Sequence, residues 1–415
     1  MASYNLTTAQ GVFKTKYLRM SRDMYNSENV VLAKCKRNDS FVGDEALISV
    51  PTSFGGGRGS GSIPRPNATN YARMRITSKK LFAIIEVDNE AIKASQTDEG
   101  AFVRLSREPV KRGVQAWQAN LSRMLFNDAT TSSAVGNGRL GAFSGSQVLV
   151  SPNVYDVVII TTGETPWKQA NFEPKDYVNI NSDAALFEII AVTPATRTVR
   201  LSQIDGGTLN LAGIGAGTHS VYMQNSRGQD AIGLRGVTLA TASTLYSINV
   251  GYRWQSPFQS TAVGIGITPD LLNEGNLAIK YAFGETPDMH VTSFVQYRKL
   301  LNQLEDQKRY MVVESRNEGP KGKFSFSALE FMSDTGPVPV IAERFVEDDS
   351  YYFMNSDFIE FHARPDGGWV EDPTAGGSIF RLSPVTDTWQ ARYAVYGEFG
   401  IVPTAHGMVT GLTTT

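Results

Sequence analysis

Residues Leu81–Asp128 read LFAIIEVDNEAIKASQTDEGAFVRLSREPVKRGVQAWQANLSRMLFND, and the hydrophobic period changes along the stretch. Leu81 to Val87 is a nearly continuous apolar run, which predicts a buried strand. Downstream, Val110, Val114, Trp117, Leu121, Met124 and Leu125 fall at offsets 0, 4, 7, 11, 14 and 15, one face of an α-helix. Ser106 can cap that helix, Glu108 suits the positive end of its dipole, and Pro109 is tolerated only in the first turn. The helix is expected to end near Asn127.

Upstream, Glu45–Ser53 (EALISVPTS) alternates well enough for a strand and Asn70–Lys79 (NYARMRITSK) makes a second. The segment joining them is far longer than the two to five residues usual in a hairpin. It contains Ser53–Asn67, SFGGGRGSGSIPRPN, with five glycines, two arginines and no carboxylate. That composition invites a phosphate loop, but the motifs fail. Gly56 and Gly61 have P-loop spacing, yet Ser62 stands where the lysine must be, and glycine is also missing at 62 for a dinucleotide fingerprint starting at Gly57. Pro64 and Pro66 block the helix that either motif requires. A long hairpin tip remains. From Ala46 to Ile85 there is no Asp or Glu, while Arg58, Arg65, Arg73, Arg75, Lys79 and Lys80 are present. A two-stranded ribbon has no core of its own. Such a basic arm must be stabilised from outside, by nucleic-acid phosphates or by an acidic face on a neighbouring subunit.

The chain has 415 residues and a formal net charge of −2, so no global field recruits nucleic acid or membrane. Cys35 is the only cysteine, which excludes an intrachain disulfide and suits a reducing compartment. No apolar run approaches the roughly 18 residues of a spanning helix, and the first twenty residues lack the apolar core of a secretory signal. A protein made in the cytosol, or kept in something assembled there, is expected.

From about Arg139 to Gly228 short strands (SQVLVS, DVVIITT, LFEIIAV, RTVRLSQI, HSVYMQ) alternate with Gly, Pro, Asn and Thr, without a helix. This spacing predicts a small sandwich or barrel, inserted between helical segments. Thr268-Pro269-Asp270 starts a helix toward Ala282 that Gly284 can stop. Phe294, Tyr297, Leu301 and Leu304 mark a second amphipathic helix. In WQARYAVYGEFGIV, Trp389, Ala391, Tyr393 and Val395 alternate as a long half-buried strand should. The fold class is α+β with an all-β insert.

Catalytic patterns are missing. His219, His290, His362 and His406 stand in no ligand spacing and read as surface or satisfied core histidines. There is no G-x-S-x-G elbow, and Cys35 sits in an arm-like segment unsuited to a preorganised site. Glu347-Asp348-Asp349 and RPDGGWVED do not follow the calcium register and read as solvated turns. No catalytic residue, metal or cofactor is assigned.

The order of these elements resembles tailed-bacteriophage major capsid proteins of the Hong Kong 97 shell fold. Leu81–Asp128 is similar to the family's strand, "IKAS…GAFV" connection and spine helix. QDAIGLRGVTLATASTLYSINVGYRWQS is similar to the stretch leading into its axial domain, TPDMHVTSFVQYRKLLNQLEDQKRY to its central helix, and DSYYFMNSDFIEFHARPDGGWVED to YAVYGEFGIVPTAHGMVTGL to its closing strands. The resemblance implies an N-terminal arm (1–40), an extended hairpin loop (41–79), a peripheral domain with the spine helix (80–138), an inserted β-rich domain (139–228), an axial domain (229–355) and closing strands of both domains (356–415). It implies a subunit that self-assembles into the icosahedral shell around the double-stranded DNA of a tailed phage, made in the bacterial cytoplasm and resident in the virion.

The partners so implied are copies of the chain in hexamers and pentamers, a separate scaffolding protein, a portal and cement or decoration proteins, with DNA enclosed but not read and no membrane. Arg58, Arg65, Arg73 and Arg75 of the hairpin become subunit-interface residues. Some members weld subunits through a lysine in this loop; no lysine lies between Phe41 and Ser78, so cross-linking is not expected. About forty residues before the hairpin leave no room for a scaffolding extension. An encapsulin-like compartment and a basic-ribbon nucleic-acid binder are the alternatives.

Overall fold

The computed structural model describes residues 30–52, 70–89, 113–127, 138–160, 167–181, 185–204, 218–239, 244–261, 264–306, 329–333, 336–371, 379–383 and 387–414, except positions 40, 42, 44, 250, 252 and 366. They form two compact units: the described parts of Met1–Val50, Arg73–Leu125 and Glu360–Gly400, and those of Pro51–Ala72, Phe126–Ile359 and Ile401–Thr415.

The first unit is organised by the long strand Thr388–Ile401. Lys79–Asp88 pairs antiparallel along it in an unbroken register from Thr388↔Asp88 to Gly397↔Lys79. Phe380–Leu382, Gly368–Trp369 and Ile359–Ala363 follow on the same sheet. A helix at 113–125 covers one face. Val114, Trp117, Leu121, Met124 and Leu125 are all buried, and Trp117 meets Tyr393 edge-on at 5.3 Å. Val110, Ser106 and Pro109 lie outside the described residues.

Three expectations change in this unit. Leu81–Val87 is not buried on both faces. Leu81, Ile85 and Val87 point into the core, while Phe82 and Ile84 are 51% and 60% exposed, because only one face of the sheet carries the helix. Residues 30–38 are also more than a loose arm. Val31 and Leu32 of the helical turn Val30–Lys34 are buried, and Lys36–Asn38 adds a parallel strand to Ile359–Ala363. The long closing strand alternates only at its start; from Tyr393 onward nearly every residue is buried, since the strand is covered on both faces there.

The second unit holds a six-stranded mixed sheet in the order Phe258–Thr261, Gly407–Thr410, Tyr351–Met354, Met289–Thr292, Gly336–Ala342, Leu329–Ser333. Helix Pro269–Phe283 packs on it. Its ends are local in origin: the Thr268 hydroxyl accepts from the Leu271 amide at 3.3 Å, and Gly284 leaves the helix at φ 96°. Gly275 sits over the Phe353 ring so closely that a Cβ would stand 2.5 Å from it.

Helix Phe294–Asp306 is present, but rotated from the expected face. Phe294 is exposed and Leu301 partly so, whereas Leu300 and Gln296 are buried. Gln296 turns inward, where its side-chain nitrogen donates to Asp348 O and Thr413 O, both at 2.8 Å, so that the buried N–H groups are not left unpaired.

Between these elements six strands, Arg139–Ser151, Val154–Ile159, Tyr177–Ile180, Phe187–Thr193, Thr198–Gln203 and Thr218–Met223, close into an antiparallel barrel. Its interior is packed with buried side chains including Phe143, Val157, Phe187, Ile189 and Leu201. Closure leaves no free edge.

Candidate functional site

Among the described residues Glu45–Pro51 and Tyr71–Thr77 pair only with each other. Their last described rung is Thr52, whose amide and hydroxyl both donate to Asn70 O, at 2.8 and 3.1 Å. This rung brings together the two ends of the segment that carries Arg58 and Arg65. Those two arginines lie outside the described residues. Arg73 and Arg75 are on the exposed side of the second strand, while Met74 and Ile76 on the other side are buried. A Cβ at Gly400 would come within 2.9 Å of Ile76, so the base of the ribbon is tied into its unit.

The ribbon exposes Leu47 and, farther out, Tyr71, the latter at 67%. Arg75 Nε stands 3.9 Å from Glu45 Oε2, with both side chains in solvent. An exposed pair at that separation is worth about 0–1 kcal/mol at most. The described part of the ribbon is thus basic and partly apolar on its exposed side, a surface that gains by being covered.

Three of the four histidines, His290, His362 and His406, are buried. His290 is enclosed, with Asn276 Oδ1 at 3.0 Å from Nε2 and the Tyr351 hydroxyl at 2.9 Å from Nδ1; burial lowers its pKa to about 3. His406 accepts from the Asn355 amide at 3.3 Å and is lowered by burial to about 4. His362 is also lowered by burial, and His219 meets Asn181 at 3.0 Å. Cys35 is buried, its thiol donating to Val31 O. Among the described residues no cluster of His, Cys, Asp and Glu could hold a metal ion, and no helix is long and apolar enough to cross a membrane.

The reading of Glu347 as part of a solvated turn is corrected. Its side chain is fully buried, 2.5 Å from Lys168 Nζ and 3.7 Å from Arg235, and accepts from the Tyr352 hydroxyl at 2.8 Å. Burial pushes its carboxyl up, but the two cations outweigh that and hold it below the usual carboxylate range. Nothing in the local sequence distinguishes Glu347 from Asp348, because its partners lie 179 and 112 positions upstream, at 168 and 235. The exposed Phe82 and Ile84 were missed for a similar reason. An apolar run does not reveal which face a helix will cover.

No known protein-family model matches the chain, and no curated protein matches it in sequence. In fold it is similar to a chain of the cyanophage A-1(L) capsid asymmetric unit, with a TM-score of 0.51 at 10% identity over 95% of this chain and 93% of that one. Similarity at lower scores extends to a chain of the satellite phage P4 procapsid (TM-score 0.44, 8% identity, 100% and 93% covered) and one from Mycobacterium phage Adephagia (0.40, 11%, 92% and 89%). At such identities the likeness is one of fold. The sheet-dominated α+β chain has the fold of the cyanophage capsid chain over nearly its whole length.

Proposed function

We propose that the chain is a major capsid protein whose copies build the icosahedral shell of a tailed phage. The observation that carries this reading is the fold shared with a capsid chain almost end to end on both sides, and the core-less basic hairpin fits it. In this reading 41–79 is the extended loop, 80–138 the peripheral domain with its spine helix, 229–355 the axial domain, and 139–228 an inserted domain. Arg58, Arg65, Arg73 and Arg75 meet carboxylates of a neighbouring copy. Scaffolding, portal and decoration proteins complete the assembly, which forms in the host cytoplasm and encloses DNA without reading it.

Electron microscopy of the full chain, co-expressed with its scaffold, tests the reading. Closed shells of many copies are expected, and a stable monomer or dimer alone would sink it. Arg58→Glu with Arg65→Glu separates the interface from a nucleic-acid role. The double variant should fold yet fail to give stable empty shells. Normal empty shells that only lose DNA, with a marked salt dependence, would assign the arginines to phosphates instead.

A further inference from the structure

The closed barrel of residues 139–223 could fold around its own core, so its attachment to the rest of its unit needs a physical cause. The segment 167–173 supplies one. On one side it belongs to the barrel: Trp167 and Phe172 are buried in the barrel core and stacked at 5.5 Å, and Asn171 donates to Leu140 O at 2.8 Å. On the other side it leaves the barrel altogether. Lys168 reaches Glu347 and donates to Phe126 O at 2.9 Å, and Glu173 meets Arg344 at 3.2 Å.

The two ion pairs have opposite polarity. Lysine of the barrel meets glutamate of the 343–350 loop, and glutamate of the barrel meets arginine of that loop. A barrel turned so as to exchange the two contacts would set Lys168 against Arg344 and Glu173 against Glu347, like charge against like. Lys168 and Glu347 are both out of solvent, and separating them would strand the buried Lys168 charge and leave Glu347 to Arg235, at 3.7 Å. Arg235, just past the barrel's exit, donates to Ser350 at 3.2 Å, so the same loop also holds the returning chain.

We propose that 167–173 and 343–350 form an internal latch that holds the barrel in one orientation on the sheet unit, with Lys168 as its positioning residue. The barrel is then carried as a fixed body, and whatever its outer surface meets is presented in a set direction.

Hydrogen exchange on the full-length chain tests this. In Lys168→Met, peptides from 167–176 and from 343–350 should exchange faster together, by roughly a hundredfold, as one half of a buried pair is lost. Strands Phe187–Thr193 and Thr198–Gln203 should keep their protection. Loss of protection in those strands would make Lys168 part of the barrel's own fold and overturn the latch, as would a change confined to one of the two segments. Glu173→Ala, at the exposed pair, does not threaten folding. It should quicken exchange in the same two segments by a few-fold, and no change in 343–350 would overturn the proposal.

Discussion

The barrel and the hairpin are both β-structure built largely from neighbouring strands, yet they solve the edge problem in opposite ways. Six strands closed on themselves pair every edge and enclose Phe143, Phe187 and Leu201. Among the described residues the two hairpin strands pair only with each other, and they expose Leu47 and Tyr71. A closed barrel is complete within one chain, whereas a ribbon with an apolar, basic surface is complete only when something lies against it. The difference teaches where the chain's stability is its own and where, in the proposed function, it is borrowed from assembly.

The strongest test of the barrel half is Phe187→Ala. With that ring fully buried, the unassembled chain should lose about 3–5 kcal/mol in denaturant unfolding of the barrel; a loss under about 1 kcal/mol would show that the barrel core is not a packed one. Next is the hairpin's base. Met74→Ala removes a side chain that is 2% exposed and should cost about 2 kcal/mol, so an unchanged midpoint would mean that the ribbon is free along its whole length.

Tyr71→Ser goes to the distal part. Stability of the unassembled chain should move by no more than about 0.5 kcal/mol, while shells dissociate at lower denaturant. If both fall equally, the ribbon is stabilised within the chain and the contrast fails. The smallest effect expected is covalent. Boiling mature shells in detergent should leave a single band near 45.4 kDa, because no lysine lies between Phe41 and Ser78. A ladder surviving reduction would refute that.

Much of the architecture was legible because it is local. Thr268, Pro269 and Gly284 mark the helix Pro269–Phe283 through its own backbone needs, and the buried face of the helix at 113–125 follows from its spacing. The turn-punctuated strands of 139–228 were mostly visible too, except Tyr177–Ile180, whose four residues are too short to announce themselves. Of the hairpin arginines, charge asymmetry singled out all four, and the described strand shows Arg73 and Arg75 facing solvent.

By itself the sequence determined the helix Pro269–Phe283 with its caps, the buried face of the helix at 113–125, the strand-rich middle and a basic hairpin, because propensity, capping and charge act over a few residues. Only the tertiary structure decided that Gln296 and not Phe294 turns inward, that Phe82 and Ile84 face solvent, and that Glu347 is a buried partner of Lys168. Each of these depends on which distant surface arrives to cover a residue, and on the cost of leaving a polar group uncovered or unpaired once it does.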